Sequence, residues 1–357
     1  MNEYSLPLIE VISGILLLFG GGEVFIQGAI TLSLILGIPQ IVIGLTVVAL
    51  GTSSPELLVS LNSVFRDSDS LAVSNVIGSN IFNILVVLGI SSLLRPLNVK
   101  SRIVRRDVPL LIAISCAVWA ISSTGLLTWQ AGIFLLLCLT INTIWEINTI
   151  NEIDEDIKTA EPVIEDSHKK NQFQMFFQLI LGIALLGFGS NILISGSKTL
   201  ATIMGVNETI IGLTIMATGT SLPELVTSIV AALKGKTDLA IGNVIGSNLL
   251  NQLLILGSCG VVSGLEGLKI DKELITTDLP IMVLTTFACM PIFWTKGKIT
   301  RIEGFILLNI YLFYLVDKII ISSGFGFLQQ YRLFIFLYTI VFTIVFLLKA
   351  KLKFQKQ

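Results

Sequence analysis

The 357-residue chain is 53% hydrophobic and only 13% charged, with a formal net charge of −1 and a mean hydropathy of +0.88. A soluble globular domain carries about 25% charged residues, so this composition excludes one and points to a protein that spans the lipid bilayer. No basic surface suggests a nucleic-acid partner, and the single histidine (His168) argues against histidine-based zinc chemistry.

Windows of roughly 20 apolar residues count as spans. The first, 6–33, follows no basic region and carries no small-residue cleavage site, so it is expected to be retained. Its Glu10 and Glu23 read as snorkelling or paired at a helix end. The second span, 39–64, contains "ALGTSSPELL" (Ala49 to Leu58). Thr52 and Ser53 lie four and three residues before Glu56 and share its helix face. Pro55 lacks an N–H and clashes with the preceding turn, which frees carbonyls near Ala49 and Leu50, and Gly51 permits unusual backbone angles. Unwound carbonyls at membrane depth are tolerated only beside protein or a wet cavity, where they can coordinate a cation. The third span, 70–94, carries Asn75, Ser79 and Asn83 every four residues, a polar stripe on one face. Spans 107–124 and 127–147 follow, with Asp107 of "RRDVP" read as a helix cap.

The acidic segment Asn151 to Lys170 reads as a solvated linker, with a weak regulatory Ca²⁺ site as the sharper alternative. Spans 173–202, 206–233, 238–262, 276–295 and 302–321 then repeat the first five. "GLTVVALGTSSPELLVSLNSVF" from Gly44 is answered by "GLTIMATGTSLPELVTSIVAAL" from Gly212, and "SNVIGSNIFNILVVLG" from Ser74 by "GNVIGSNLLNQLLILG" from Gly242, both at an offset of 168 residues. This is an internal duplication. Thr220, Ser221, Pro223 and Glu224 recur, Ala217 and Thr218 offer carbonyls, and Asn243, Ser247 and Asn251 form the second stripe. Glu23 has Asn191 as its repeat partner, so it is no duplicated ligand. Asp278 of "TTDLP" reads as a second cap, and Asp317 and Lys318 as residues near an interface. An eleventh apolar segment at 330–349 precedes a basic tail suited to anionic lipid. The four cysteines sit in apolar spans at unrelated spacings and imply neither disulfides nor a thiolate metal site.

Five spans per half is an odd number, so the second copy enters the membrane from the opposite side. Inverted repeats build many secondary transporters, with the site at mid-membrane. With the N-terminus outside, 17 of the 23 Lys and Arg face the cytoplasm, the arrangement that the positive-inside rule favours.

The four polar segments offer two carboxylates, hydroxyls, amide oxygens and carbonyls. That all-oxygen set suits hard cations such as Ca²⁺, whereas softer metals want Cys or His. No Lys or Arg in these segments pairs the glutamates, and an ionised carboxylate at mid-membrane needs a partner. One divalent ion or several monovalent ions would neutralise both, and competition between those loads is what exchange requires.

"GTSSPE" with "SNVIGSNIFN", then "GTSLPE" with "GNVIGSNLLN", resembles the paired alpha repeats of the sodium/calcium exchanger family within the cation/Ca²⁺ antiporter superfamily. The resemblance covers roughly Leu6 to Ile321. It implies an all-α fold of two inverted five-helix repeats, over 1–150 and 173–322. The acidic linker 151–172 joins them, and an extra helix with the basic tail occupies 323–357. It implies no enzyme and no cofactor, but electrogenic Na⁺/Ca²⁺ antiport by sliding of the first and sixth helices. Glu56 and Glu224 would be the Ca²⁺ ligands shared with Na⁺, and Thr52 and Thr220 would add main-chain carbonyl oxygens. Ser53, Ser79, Ser221 and Ser247, with the carbonyls of Ala49 and Ala217, would complete flanking Na⁺ sites, while Asn83 and Asn251 would line the middle. Many relatives, including potassium-dependent ones, carry Asp at the position of Asn251, so its amide favours exchange without K⁺. The short linker suits a prokaryotic inner-membrane protein. H⁺/Ca²⁺ exchange remains the alternative within the superfamily, and a cation channel or an intramembrane hydrolase stand further off.

Overall fold

The structure, a computed structural model, describes residues 3–157, 168–206, 217–294, 297–323 and 331. The segment 330–349, the tail and the start of the expected seventh span therefore lie outside the described residues, Tyr331 excepted.

The first half runs through α1 (Ser5–Leu36), α2 (Gln40–Thr52), α3 (Ser54–Phe65), α4 (Asp69–Leu94), β1 (Leu97–Asn98), α5 (Val108–Ser122), β2 (Leu126–Leu127) and α6 (Trp129–Ile157). The second half repeats that order as α7 (His168–Ile203), α8 (Ala217–Gly219), α9 (Leu222–Leu233), α10 (Thr237–Val262), β3 (Leu268–Lys269), α11 (Leu279–Trp294), β4 (Lys298–Ile299) and α12 (Arg301–Ser323). Among the described residues seven helices are long and apolar enough to cross a membrane, and eight if α2 and α3 form one span bent by 45°. The charges Arg105, Arg106 and Asp107 lie in the turn that leads into α5, and α9 is 12 residues long, which keeps both outside that group. Helix α6 continues to Ile157 and α7 begins at His168, so the ends of the expected linker extend the flanking helices.

Helix α1 has 32 residues, about 48 Å at 1.5 Å per residue. It exceeds the ~30 Å hydrocarbon core and must tilt. It packs along its length against its repeat partner α7. A Cβ added to Gly14 would meet Leu193, one at Gly21 would meet Leu185, and one at Gly28 would meet Leu179. Residue numbers fall on one helix as they rise on the other, so these equivalent helices run antiparallel, with small residues allowing close backbones.

Short ladders lock the halves at two places: β1 pairs with β4, and β2 with β3, both antiparallel. Each loop thus reaches into the other half.

π-Helical turns at Asn83–Val87 and Asn251–Ile255 interrupt α4 and α10 just after the polar stripes. Two more, Ile103–Asp107 and Leu274–Asp278, lead into α5 and α11. Asp107 and Asp278 end these turns, and the continuous helical backbone removes the capping role expected of them; Asp107 makes no side-chain cap bond. Both are buried. Asp278 accepts hydrogen bonds from Lys318 Nζ at 2.6 Å and Tyr314 Oη at 2.9 Å, so Lys318 serves an ion pair rather than headgroups. In the first half Arg102 and Arg106 both grip Glu146 beside Asp107, and Arg106 lies over the Trp145 ring.

Candidate ion-binding site

Pro55 has no N–H to give the carbonyl of Gly51, so the helix breaks before it. Ser53 sits at the hinge with φ −82° and ψ 4°, and Ser221 holds the equivalent place with φ −89° and ψ 8°. Helices α3 and α9 restart there with Pro near their first position and Glu56 and Glu224 in their first turns. The amino ends of two helices thus point partial positive charge at the two carboxylates. The carbonyl of Ala49 accepts the Ser53 N–H at 2.9 Å, and that of Leu50 accepts the Ser54 hydroxyl at 2.8 Å. The Ala49 carbonyl also lies 3.3 Å from the Thr52 hydroxyl, which faces the Val48 carbonyl at 3.2 Å as well.

The two copies are joined reciprocally. Ser53 Oγ donates to Glu224 Oε1 at 2.9 Å, and Ser221 Oγ donates to Glu56 Oε1 at 3.0 Å. Thr52 Oγ1 donates to Asn243 Oδ1 at 3.1 Å, and Thr220 Oγ1 to Asn75 Oδ1 at 3.2 Å. Each bond has its counterpart 168 residues away, the pattern of a pseudo-twofold contact.

Both glutamates are fully buried, and each keeps one carboxylate oxygen without a hydrogen-bond partner. The hydroxyls of Ser79 and Ser247 and the amide oxygens of Asn83 and Asn251 are likewise buried and unpartnered. No ion pair reaches either glutamate among the described residues. Buried polar groups left unmatched are costly, and here six such oxygens belong to the two repeated motifs. Of the expected side-chain ligands, Ser53, Ser221, Glu56 and Glu224 meet directly, and Ser79, Asn83, Ser247 and Asn251 are buried on α4 and α10. For Ala217 the described feature is its place in α8. No cluster of three or more Asp, Glu, His or Cys occurs among the described residues, so the arrangement relies on neutral oxygens around two carboxylates.

Some participants were absent from the sequence-based set. Ser60 and Ser228, four residues beyond each glutamate, accept bonds from Asn75 and Asn243 at 2.9 and 3.0 Å. Their recurrence at the 168-residue offset was the available signal. Asn80 and Asn248 meet where α4 crosses α10, with Asn248 Nδ2 donating to the Asn80 carbonyl and Asn251 Nδ2 to Asn80 Oδ1. Gln252, also buried, has Ile84 as its repeat partner and gave no signal of that kind.

Comparison with known proteins identifies the family. The family described as "Sodium/calcium exchanger protein" matches residues 7–147 and 175–320. A protein named CaxA from Alkalimonas amylolytica is 36% identical over 313 residues, covering 86% of this chain and 96% of its own. The sodium/calcium exchanger MaX1 of Methanosarcina acetivorans is 30% identical over 346 residues, covering 87% and 98%. The solved structure of the sodium-calcium exchanger NCX_Mj soaked with 2.5 mM Na⁺ and 0.1 mM Ca²⁺ superposes with a TM-score of 0.74 at 26% identity, covering 89% of this chain and 98% of its own. A matching exchanger fold, a duplicated glutamate motif and near full-length relatives lead to one assignment: this multi-pass membrane protein belongs to the sodium/calcium exchanger family, a family of transporters.

Proposed function

We propose that the chain is an Na⁺/Ca²⁺ antiporter, electrogenic and K⁺-independent, that works by alternating access. The observation that carries this reading is the pair of buried carboxylates, each with an unpartnered oxygen and no cationic side chain paired to it. One Ca²⁺ neutralises the pair, and so do two or more Na⁺ ions, so the loads compete for one site, and a third Na⁺ at the flanking oxygens is what makes the exchange electrogenic. Glu56 and Glu224 bind Ca²⁺ together with the main-chain carbonyls of Thr52 and Thr220. Ser53, Ser79, Ser221 and Ser247, with the carbonyls of Ala49 and Ala217, hold Na⁺ beside it, and Asn83 and Asn251 line the middle. Ca²⁺ takes about 6–8 oxygens at flexible geometry, which a set of this size supplies. The uncharged amide of Asn251 supports K⁺ independence.

The antiparallel α1 and α7 and the reciprocal contacts support two inverted repeats over 1–150 and 173–322, joined by residues 151–172. The charge count supports a cytoplasmic membrane location with the N-terminus outside and the C-terminus, beyond the extra segment 323–357, inside. The proteins named MaX1 and NCX_Mj are exchangers of sodium and calcium by name. H⁺/Ca²⁺ exchange is the second reading, because two buried carboxylates can also carry protons. The hydroxyl-rich surroundings favour Na⁺, since protons need no extra oxygens.

The test is ⁴⁵Ca²⁺ uptake into proteoliposomes loaded with Na⁺, beside K⁺-loaded and pH-gradient controls. Uptake that requires internal Na⁺ supports the proposal. Uptake driven only by a pH gradient moves the protein to proton coupling, and no flux under either gradient removes the calcium assignment.

A further inference from the structure

The stripes on α4 and α10 divide into two chemically different parts. Ser79, Asn83, Ser247 and Asn251 keep buried atoms without partners. Asn75 and Asn243, one turn earlier, have both ends of their amides engaged. Asn75 Nδ2 donates to Ser60 Oγ at 2.9 Å and to the Glu56 carbonyl at 3.3 Å, while its Oδ1 accepts the Thr220 hydroxyl of the other half. Asn243 Nδ2 donates to Ser228 Oγ at 3.0 Å and to the Glu224 carbonyl at 3.4 Å, while its Oδ1 accepts from Thr52. An amide nitrogen facing a carbonyl fixes which end is which, because only the NH₂ group can donate there.

We propose that Asn75 and Asn243 are positioning residues that bind no ion and instead set the ion site's geometry across the two halves. Each amide holds the backbone of its own half's glutamate and the threonine of the opposite half. A shift of one half-site is therefore passed to the other. The Thr52 hydroxyl, shared between Asn243 Oδ1 and the Val48 and Ala49 carbonyls, and the Thr220 hydroxyl, held by Asn75, are thus turned to protein acceptors. That leaves the Thr52 and Thr220 main-chain carbonyls to face the ion. An aspartate keeps the shape but loses both N–H donors, and its oxygens face a carbonyl and a hydroxyl lone pair. At a ligand position the same change adds charge and tightens Ca²⁺ binding, so the substitution separates the two roles.

The inference rests on the exchanger reading above. The experiment measures the KM and maximal rate of Na⁺-driven Ca²⁺ flux in proteoliposomes for wild type, Asn243→Asp, Asn243→Ala, Thr52→Val and the double variant of Thr52→Val with Asn243→Ala, with the same changes at Asn75 and Thr220 as the mirror set. A clamp predicts that each single variant raises the Ca²⁺ KM roughly tenfold, the scale of one or two buried hydrogen bonds, with maximal rate largely kept. Asn243→Asp keeps the oxygen that accepts from Thr52 and loses only the two donated bonds. The shared bond is therefore tested by Thr52→Val with Asn243→Ala, whose double variant should be no worse than the worse single one. An Asp variant that binds Ca²⁺ as tightly as wild type or tighter, or effects of Thr52→Val and Asn243→Ala that multiply, overturns the proposal. If an Asp variant does not fold, Asn243→Ala in the same cycle decides the question. If wild type carries no Ca²⁺, the functional reading fails separately. The cycle is then read in thermal melting, where coupling between Thr52 and Asn243 supports the clamp and its absence removes it.

Discussion

Helices α3 and α9 carry the same motif in the same chain order, yet their surroundings differ. Val226 of α9 is 4% exposed and Thr227 is buried, whereas their repeat partners Leu58 and Val59 on α3 are 63% and 38% exposed. The cause is α1, which lies on α9: a Cβ added at Gly22 would sit 3.1 Å from Val226 and 3.5 Å from Val230. Its counterpart α7 makes almost no contact with α3. Equal chemistry at the site is thus combined with unequal cover above and below it. Two such arrangements, exchanged by moving the antiparallel α1–α7 pair, are what alternating access needs. In the orientation proposed above, the covered half faces the cytoplasm. On that side Glu23 of α1 also meets Lys234 at 2.6 Å. The equivalent residues, Asn191 and Arg66, cannot form an ion pair.

The largest effect tests the equal half of that comparison. Glu56→Gln and Glu224→Gln should each lower Na⁺-driven Ca²⁺ flux at least roughly 100-fold, as expected when a metal ligand and its charge are lost. Loss in only one of them would show that the copies are not equivalent. Cross-linking tests the unequal half. Gly22→Cys with Val226→Cys should bridge readily under mild oxidant and stop exchange, while Ser190→Cys with Leu58→Cys should bridge far more slowly. Equal bridging rates would erase the asymmetry.

A smaller effect is expected at the α1–α7 seam. A Cβ at Gly182 would lie 2.5 Å from Phe25 Cβ, and one at Gly14 would lie 2.7 Å from the Leu193 backbone. Gly182→Ala and Gly14→Ala should each cost about 1–3 kcal/mol, read as matched drops in melting temperature. The smallest belongs to Glu23→Gln, since a half-exposed pair contributes about 0–1 kcal/mol. It should change the Gly22–Val226 bridging rate by only a few-fold. Exchanging the charges, Glu23→Lys with Lys234→Glu, should restore it.

The candidate site was legible because its residues are polar, repeated and set in apolar sequence, three features that rarely coincide. Glu56, Ser79 and Asn83 stand out against neighbours such as Ile77 and Ile81. Ser60 and Ser228 follow the same repeat, but a serine four residues from a carboxylate is common on helices and drew no notice. Asp107 and Asp278 misled because an Asp shortly before a Pro resembles a cap. Their buried positions depend on Arg102, Arg106 and Lys318, and on helix packing that one-dimensional spacing does not encode. The cover of α9 and the bareness of α3 were invisible for a deeper reason. Nearly identical motifs take the two surroundings within one chain, so the motif sequence does not tell which copy is covered.

The reciprocal bonds also govern how the molecule is made. Glu56 takes its hydroxyl from a serine 165 residues later in the chain, and β1 and β2 find their partners only in the second half. At 5–20 residues per second of synthesis, the first half waits roughly 10–30 s before those groups leave the ribosome. During that interval its carboxylate, Asn75 and strand edge have no protein to satisfy them, and water must do so. The closing of one half upon the other therefore has to wait until the second half has been made.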